Sequence, residues 1–249
     1  MKLVIEVWRQ ENPQDKGRFE TYQVDDATPE MSVLELLDRL NDQLVEANVE
    51  PVAFESDCRE GICGSCGMTV DHRPHGPQRQ TPACHQRLSS FTDGQTIRLE
   101  PLRSAAFPVV RDLIVDRSAL DTVIAAGGHV AVRAGSAVDA DSRPITHQQA
   151  ELALDFAACI GCGACVAACP NGAAHLFVGA KLLHLALLPA GQLERGKRVN
   201  AMVAEMEQDF GPCSYFGECT EVCPAGIPLT AIAAVNKERL RGLFRHKDN

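Results

Sequence analysis

The sequence predicts an α+β chain in two unlike halves, and three observations carry that reading. The first hundred residues alternate apolar and polar side chains around a single amphipathic helix. Residues from Pro144 onward repeat at helical spacing, and a stretch rich in turn residues lies between. With 249 residues, 45% of them hydrophobic, the chain suits two ordinary globular domains. Their boundary is placed near residue 105, giving 1–105 and 106–249.

In the first half, Leu3 to Trp8 reads as a strand, and Arg18 to Val24 alternates, so the two form an opening hairpin. Ser32 followed by Glu35 is a capping box, after which Val33, Leu36, Leu37, Leu40 and Leu44 fall on one helical face, predicting a helix over 32–47. Ile97 to Glu100 is a closing strand, so the half is a small sheet crossed by one helix with its cysteines in the loops. Beyond the boundary, the pattern around Asp112 to Ala126 is read as helical, and Gly127 to Pro144 as a linker. Thr146 then caps a helical pattern, with Leu152, Phe156 and Ile160 among the apolar positions that lead into the second cysteine group.

Composition excludes several classes of function. The acidic residues outnumber the basic ones, 33 to 24, for a formal charge of -9, which argues against a nucleic-acid partner. The N-terminus carries charges throughout and lacks the apolar core of a secretory signal, so a cytosolic chain is expected. The apolar stretch from Ala173 to Ala190 is interrupted by His175, Lys181 and His184 and falls short of the roughly 20 apolar residues that span a bilayer. Eleven cysteines in a reducing compartment point to metal ligands, and an odd number would strand one thiol in a disulfide scaffold.

Their spacing resolves into three groups. Cys58, Cys63 and Cys66 with the distant Cys84 form the C-x4-C-x2-C plus Cys pattern of a plant-type [2Fe-2S] site. Gly61, Gly64 and Gly67 give that loop its backbone freedom and bring N–H groups close to sulfur. Four cysteines would also satisfy a tetrahedral zinc, but structural zinc usually takes two knuckles where this spacing has one. Cys159, Cys162, Cys165 and Cys169, followed by Pro170, form the C-x2-C-x2-C-x3-C-P run of bacterial ferredoxins, in which the fourth cysteine serves a second cluster. The second run, Cys213, Cys219 and Cys223 followed by Pro224, overlays the first except that Phe216 stands where Cys162 would be.

Crossover ligation then assigns Cys159, Cys162, Cys165 and Cys223 to a [4Fe-4S] cluster. Cys169, Cys213 and Cys219 remain, and three thiolates suit [3Fe-4S]; the alternative is a fourth iron held by water or by an oxygen of Ser214 or Glu218. All eleven thiols are then used. Such clusters pass single electrons and suit a relay between carriers that split electron pairs, such as a flavin and a quinone. Neither a dinucleotide fingerprint nor a phosphate loop is present in the sequence, so substrate chemistry belongs to another subunit.

In these features the sequence resembles the iron-sulfur subunit of succinate dehydrogenase and fumarate reductase. The likeness rests on CREGICGSCGM (58–68), Phe107 to Asp116 at the domain junction, and the paired runs with the missing cysteine. It implies a β-grasp plant-type ferredoxin domain followed by an α-helical bacterial-type ferredoxin domain. It also implies a flavoprotein partner with covalent FAD, a membrane anchor that holds the subunit at the cytoplasmic face of the cell membrane, and menaquinone or ubiquinone at that anchor. Electrons would pass from FAD through [2Fe-2S], [4Fe-4S] and [3Fe-4S] to quinone, as in succinate dehydrogenase, or in reverse in fumarate reductase. Many members carry a Trp and a His near quinone where this sequence has Ala174 and Ser214, so Pro170 alone matches and no quinone residue is assigned; haem b in the anchor is another acceptor. His175 is read as structural or as quinone-facing, and the basic tail from Asn236 to Lys247 as a solvated helix or an anionic-membrane contact. The rivals are a soluble carrier or a subunit of another flavin oxidoreductase, and a zinc-binding interaction protein; neither gives a reason for Phe216.

Overall fold

A computed structural model describes residues 1–131, 145–189 and 194–245. The linker residues Gly135 to Pro144, Ala190 at the end of the apolar stretch, and His246 and Lys247 of the basic tail lie outside the described residues.

The expected hairpin forms: β1 (Leu3–Arg9) and β2 (Arg18–Val24) pair antiparallel, from Leu3 opposite Val24 to Arg9 opposite Arg18. α1 (Val33–Glu46) starts at Ser32, whose hydroxyl accepts from Glu35 N at 3.2 Å while its own N–H donates to Glu35 at 2.6 Å. Two further strands, β3 (Met68–Val70) and β4 (Arg73–Pro74), were too short to leave a period in the sequence. With β5 (Thr96–Pro101) they complete a mixed sheet in the order β2-β1-β5-β3-β4, in which β1 and β5 run parallel. Ile5, Val7, Ile97 and Leu99 from that central pair are buried with Leu36, Leu37 and Leu40 of α1, the grasp of a sheet around one helix.

The helical reading that starts at Asp112 is corrected. Residues from Asp112 do not begin a helix; β6 (Val109–Arg111) and β7 (Ile114–Val115) form a small hairpin, and α2 (Ser118–Val123) begins only after it, continuing as a π turn to Gly128. Tertiary bonds override the local period. Asp112 takes a left-handed φ of 45°, and its buried carboxylate accepts from Gln10 N at 2.8 Å, Ala53 N at 2.8 Å and Arg9 Nε at 3.3 Å. Leu113 belongs to the first core, whereas Leu102 and Phe107 belong to the second, so the halves interleave across this segment.

The second half is helical: α3 (His147–Ala157), α4 (Ala164–Ala167), α5 (His175–Ala186), α6 (Arg195–Asp209), α7 (Glu218–Glu221) and α8 (Thr230–Arg245). Thr146 caps α3 as expected, accepting from Gln149 N at 3.2 Å. The face that α3 buries is carried by Ala153 and Phe156, with Leu152 pointing outward, against expectation. The apolar stretch that begins at Ala173 becomes α5, buried among α3, α6 and α8. Among the described residues no helix is long and apolar enough to cross a membrane.

Candidate metal centres

The first cysteine loop runs between α1 and β3 and folds back on itself through sulfur. Glu60 N and Cys63 N donate to Cys58 Sγ at 3.3 and 3.4 Å, and Ser65 N donates to Cys63 Sγ at 3.4 Å. Cys84 comes from a separate 3₁₀ turn (Ala83–His85) and sits against Cys66, whose sulfur accepts from the Cys84 backbone. The turn is fixed by buried His75, whose Nδ1 accepts from Ala83 N at 3.2 Å. Burial pushes the Cys66 thiol up to about 12. Burial opposes ionisation of Cys63 as well, but hydrogen bonds from Ser65 outweigh it and bring that thiol to about 7.

Two cavities in the helical half collect the other thiols. One is walled by Cys159, Cys162, Cys165 and, from the second run, Cys223. The other is walled by Cys213, Cys219 and, from the first run, Cys169. Each run therefore sends its last cysteine to the other's cavity. Phe216 lines the second cavity, as do Ser214 and Glu218; the Ser214 hydroxyl already accepts from Asn171 Nδ2 at 2.8 Å. Burial raises Cys162 to about 12 and Cys219 to about 11, and drives Cys165 well up.

The backbones of the two runs repeat. Gly163 and Gly217, with φ of 84° and 94°, open the short helices α4 and α7. Val166 N donates to Gly163 O at 3.0 Å, as Thr220 N does to Gly217 O; Gly172 N donates to Cys169 O at 2.9 Å, as Gly226 N does to Cys223 O at 3.2 Å. Tyr215 adopts the left-handed φ of 57° that Gly161 holds at 68° in the first run. Only the side chains differ in what they offer.

Leu176, at the start of α5, lines both cavities and separates them. The N-cap, Ala174, makes no side-chain hydrogen bond, so the positive end of α5 faces two groups of thiols. His175 lines the three-cysteine cavity and its buried Nδ1 has no hydrogen-bond partner; burial holds its pKa down.

This donor set fits polynuclear iron better than a single ion. The ligands are soft sulfurs with N–H donors, among them Ile227 N to Cys223 Sγ at 3.4 Å and Tyr215 N to Cys213 Sγ at 3.5 Å, in cavities otherwise walled by side chains such as Leu176, Phe177 and Ile232. Among the described residues, no three His, Cys, Asp or Glu side chains converge on one ion. The thiols stand around a volume rather than a point, and burial raises Cys66, Cys159, Cys162, Cys165, Cys219 and Cys223, so bound iron would supply the positive charge that ionises them.

Two cations beside these loops escaped the reading from spacing. Lys181 of α5 donates to the carbonyl of Cys159 at 2.7 Å. Arg117, just before α2, donates through Nη1 to Gly64 O at 2.7 Å and Cys162 O at 3.2 Å. Neither carries a motif; the only signal was the position of Arg117 directly after the Phe107 to Asp116 segment.

A family model described as a 2Fe-2S iron-sulfur cluster binding domain matches residues 4–122, and one described as a 4Fe-4S dicluster domain matches residues 158–227. The chain is 30% identical over 228 residues to the succinate dehydrogenase iron-sulfur subunit of Bacillus subtilis, covering 88% of this chain and 85% of the relative. It is 32% identical over 245 residues to the fumarate reductase iron-sulfur subunit of Haemophilus influenzae, covering 92% and 89%. A chain in the solved structure of the Mycobacterium smegmatis Sdh1 complex in the apo form has the same fold, with a TM-score of 0.70 at 22% identity, covering 99% of this chain and 98% of that one.

Proposed function

The chain belongs to the iron-sulfur subunits of the succinate dehydrogenase and fumarate reductase family, and from that premise we propose that it relays electrons from a flavoprotein's FAD to quinone at a membrane anchor. Cys58, Cys63, Cys66 and Cys84 would hold [2Fe-2S]; Cys159, Cys162, Cys165 and Cys223 would hold [4Fe-4S]; Cys169, Cys213 and Cys219 would hold [3Fe-4S]. The division between the two domains falls near residue 105. When bound, such clusters supply one-electron chemistry at potentials within roughly −700 to +450 mV.

The observation that carries the reading is the exchange of Cys169 and Cys223 between cavities, which leaves one with four thiols and the other with three plus Phe216. The protein's own work is to bind and insulate. Leu176 and Phe177 keep water from the four-cysteine cavity, and the N-terminus of α5 favours the extra negative charge of reduction on both sides. The three-cysteine cavity lies under exposed Tyr215 and Phe216, where an electron can leave the subunit.

Succinate oxidation is the direction proposed, with the subunit peripheral at the cytoplasmic face and menaquinone or ubiquinone, or an anchor haem b, as acceptor. The comparable identity to a fumarate reductase subunit supports the reverse direction as the second reading. Electron paramagnetic resonance of the purified complex tests the relay: the air-oxidised protein should give one [3Fe-4S] signal, and reduction should add a [2Fe-2S] signal. An oxidised protein that is silent, with zinc accounting for its metal, would overturn the reading. Rates of succinate oxidation and fumarate reduction, measured on the same complex, then separate the two directions.

A further inference from the structure

The first cysteine loop touches the start of the second cysteine group through backbone. A Cβ at Gly64, which has φ of 76°, would run into the carbonyl oxygen of Ile160 and come within 3.1 Å of Cys162 N. One at Gly67 would lie 3.3 Å from Cys162 O. Gly64 is flanked by Cys63 and Cys66, so the first loop rests directly on the segment that carries Cys159 and Cys162. At that junction stands a cation, Arg117. Arg117 places Nη1 2.7 Å from Gly64 O and 3.2 Å from Cys162 O, and Nη2 3.2 Å from Glu55. Its side chain is 20% exposed, against 44% for Glu55, so the cation is the better shielded of the pair.

We propose that Arg117 is a positioning residue for electron transfer between the first two centres: one guanidinium nitrogen clamps their loops together, and its charge stabilises the reduced state on both sides of the junction. The inference rests on the cluster assignment above. An electron passing between the two centres would make and break no bond, so the protein's contribution is distance and potential. A single nitrogen bonded to both carbonyls acts on both. A cation beside a centre that gains negative charge raises its potential, and it does so more strongly in a half-buried junction than in water. Glu55 works in the opposite sense and is weakened by its exposure to solvent.

The test uses the assembled complex with Arg117→Met, Arg117→Lys and Glu55→Gln. Iron content and resonance signals of the unmodified complex come first; if these are missing, the functional reading fails and Arg117 is not at issue. With signals present, potentiometric titration should show the [2Fe-2S] and [4Fe-4S] potentials both falling in Arg117→Met and recovering in Arg117→Lys, with the [3Fe-4S] potential unmoved. Glu55→Gln should raise the first two. If Arg117→Met retains its clusters at unchanged potentials, or if Arg117→Lys fails to recover them, the charge has no such role and the proposal is overturned. Should Arg117→Met fail to assemble, Glu55→Gln decides: a rise supports the proposal and an unchanged pair of potentials overturns it.

Discussion

The two cysteine runs of the helical half share a backbone and differ in surroundings. Both open on a left-handed glycine, turn through one short helix and close with the same hydrogen bonds. Yet the first is packed inside, with Cys162 buried, Lys181 on the carbonyl of Cys159 and Arg117 on that of Cys162. The second lies at the surface, where Tyr215 and Phe216 are 50% and 57% exposed. One loop design therefore serves two different surroundings. In the proposed relay the first run would hold a middle centre that is insulated and electrostatically supported, and the second an outer centre close to solvent or a partner. The missing cysteine, at Phe216, belongs to the outer copy.

The strongest way to break this comparison is to supply the ligand that the second run lacks. Phe216→Cys should give the second cavity a fourth thiolate and convert its centre toward [4Fe-4S], lowering its potential and slowing quinone reduction. The oxidised resonance signal should disappear almost completely while iron content rises. A signal that persists at full strength would mean that Phe216 does not stand in for a ligand.

A smaller change tests whether the supporting charge matters. Lys181→Met removes the ammonium from the Cys159 carbonyl and, with it, a cation near the four-cysteine cavity. The potential of that centre should fall on the order of 50 mV, since about 1.4 kcal/mol corresponds to roughly 59 mV for one electron. The three-cysteine centre should move much less. Equal shifts in both would show that the runs share one electrostatic environment and would weaken the contrast drawn between them.

How far the sequence was legible follows the same line. The grouping of the eleven cysteines was legible from spacing, because ligand patterns are written in short covalent intervals. The pairing of Ser32 with Glu35 and the apolar face from Val33 to Leu44 were equally plain, because both are local. Asp112 was misread because its conformation is fixed by Arg9, Gln10 and Ala53, distant partners that leave no local period. Arg117 and Lys181 were invisible for a related reason: each acts on a backbone carbonyl, and a carbonyl has no sequence signature. Leu176 read as one more apolar residue, and only its place between two cavities distinguishes it.

The finest test exploits the glycines that open the two runs. Gly163 and Gly217 both hold left-handed φ, so replacing either with alanine should cost about 1–2 kcal/mol in backbone strain alone. Their surroundings separate them. A Cβ at Gly163 would stand 2.8 and 3.1 Å from the ring of Phe107, which is fully buried and packed edge-on against Phe210, whereas one at Gly217 would meet nothing within 4 Å. Crowding a filled core adds about 1–3 kcal/mol. Gly163→Ala should therefore destabilise the protein more than Gly217→Ala by that margin, read from denaturant midpoints of the cluster-loaded protein. Equal losses would mean that Phe107 yields, and that the inner run is packed no more tightly than the outer one.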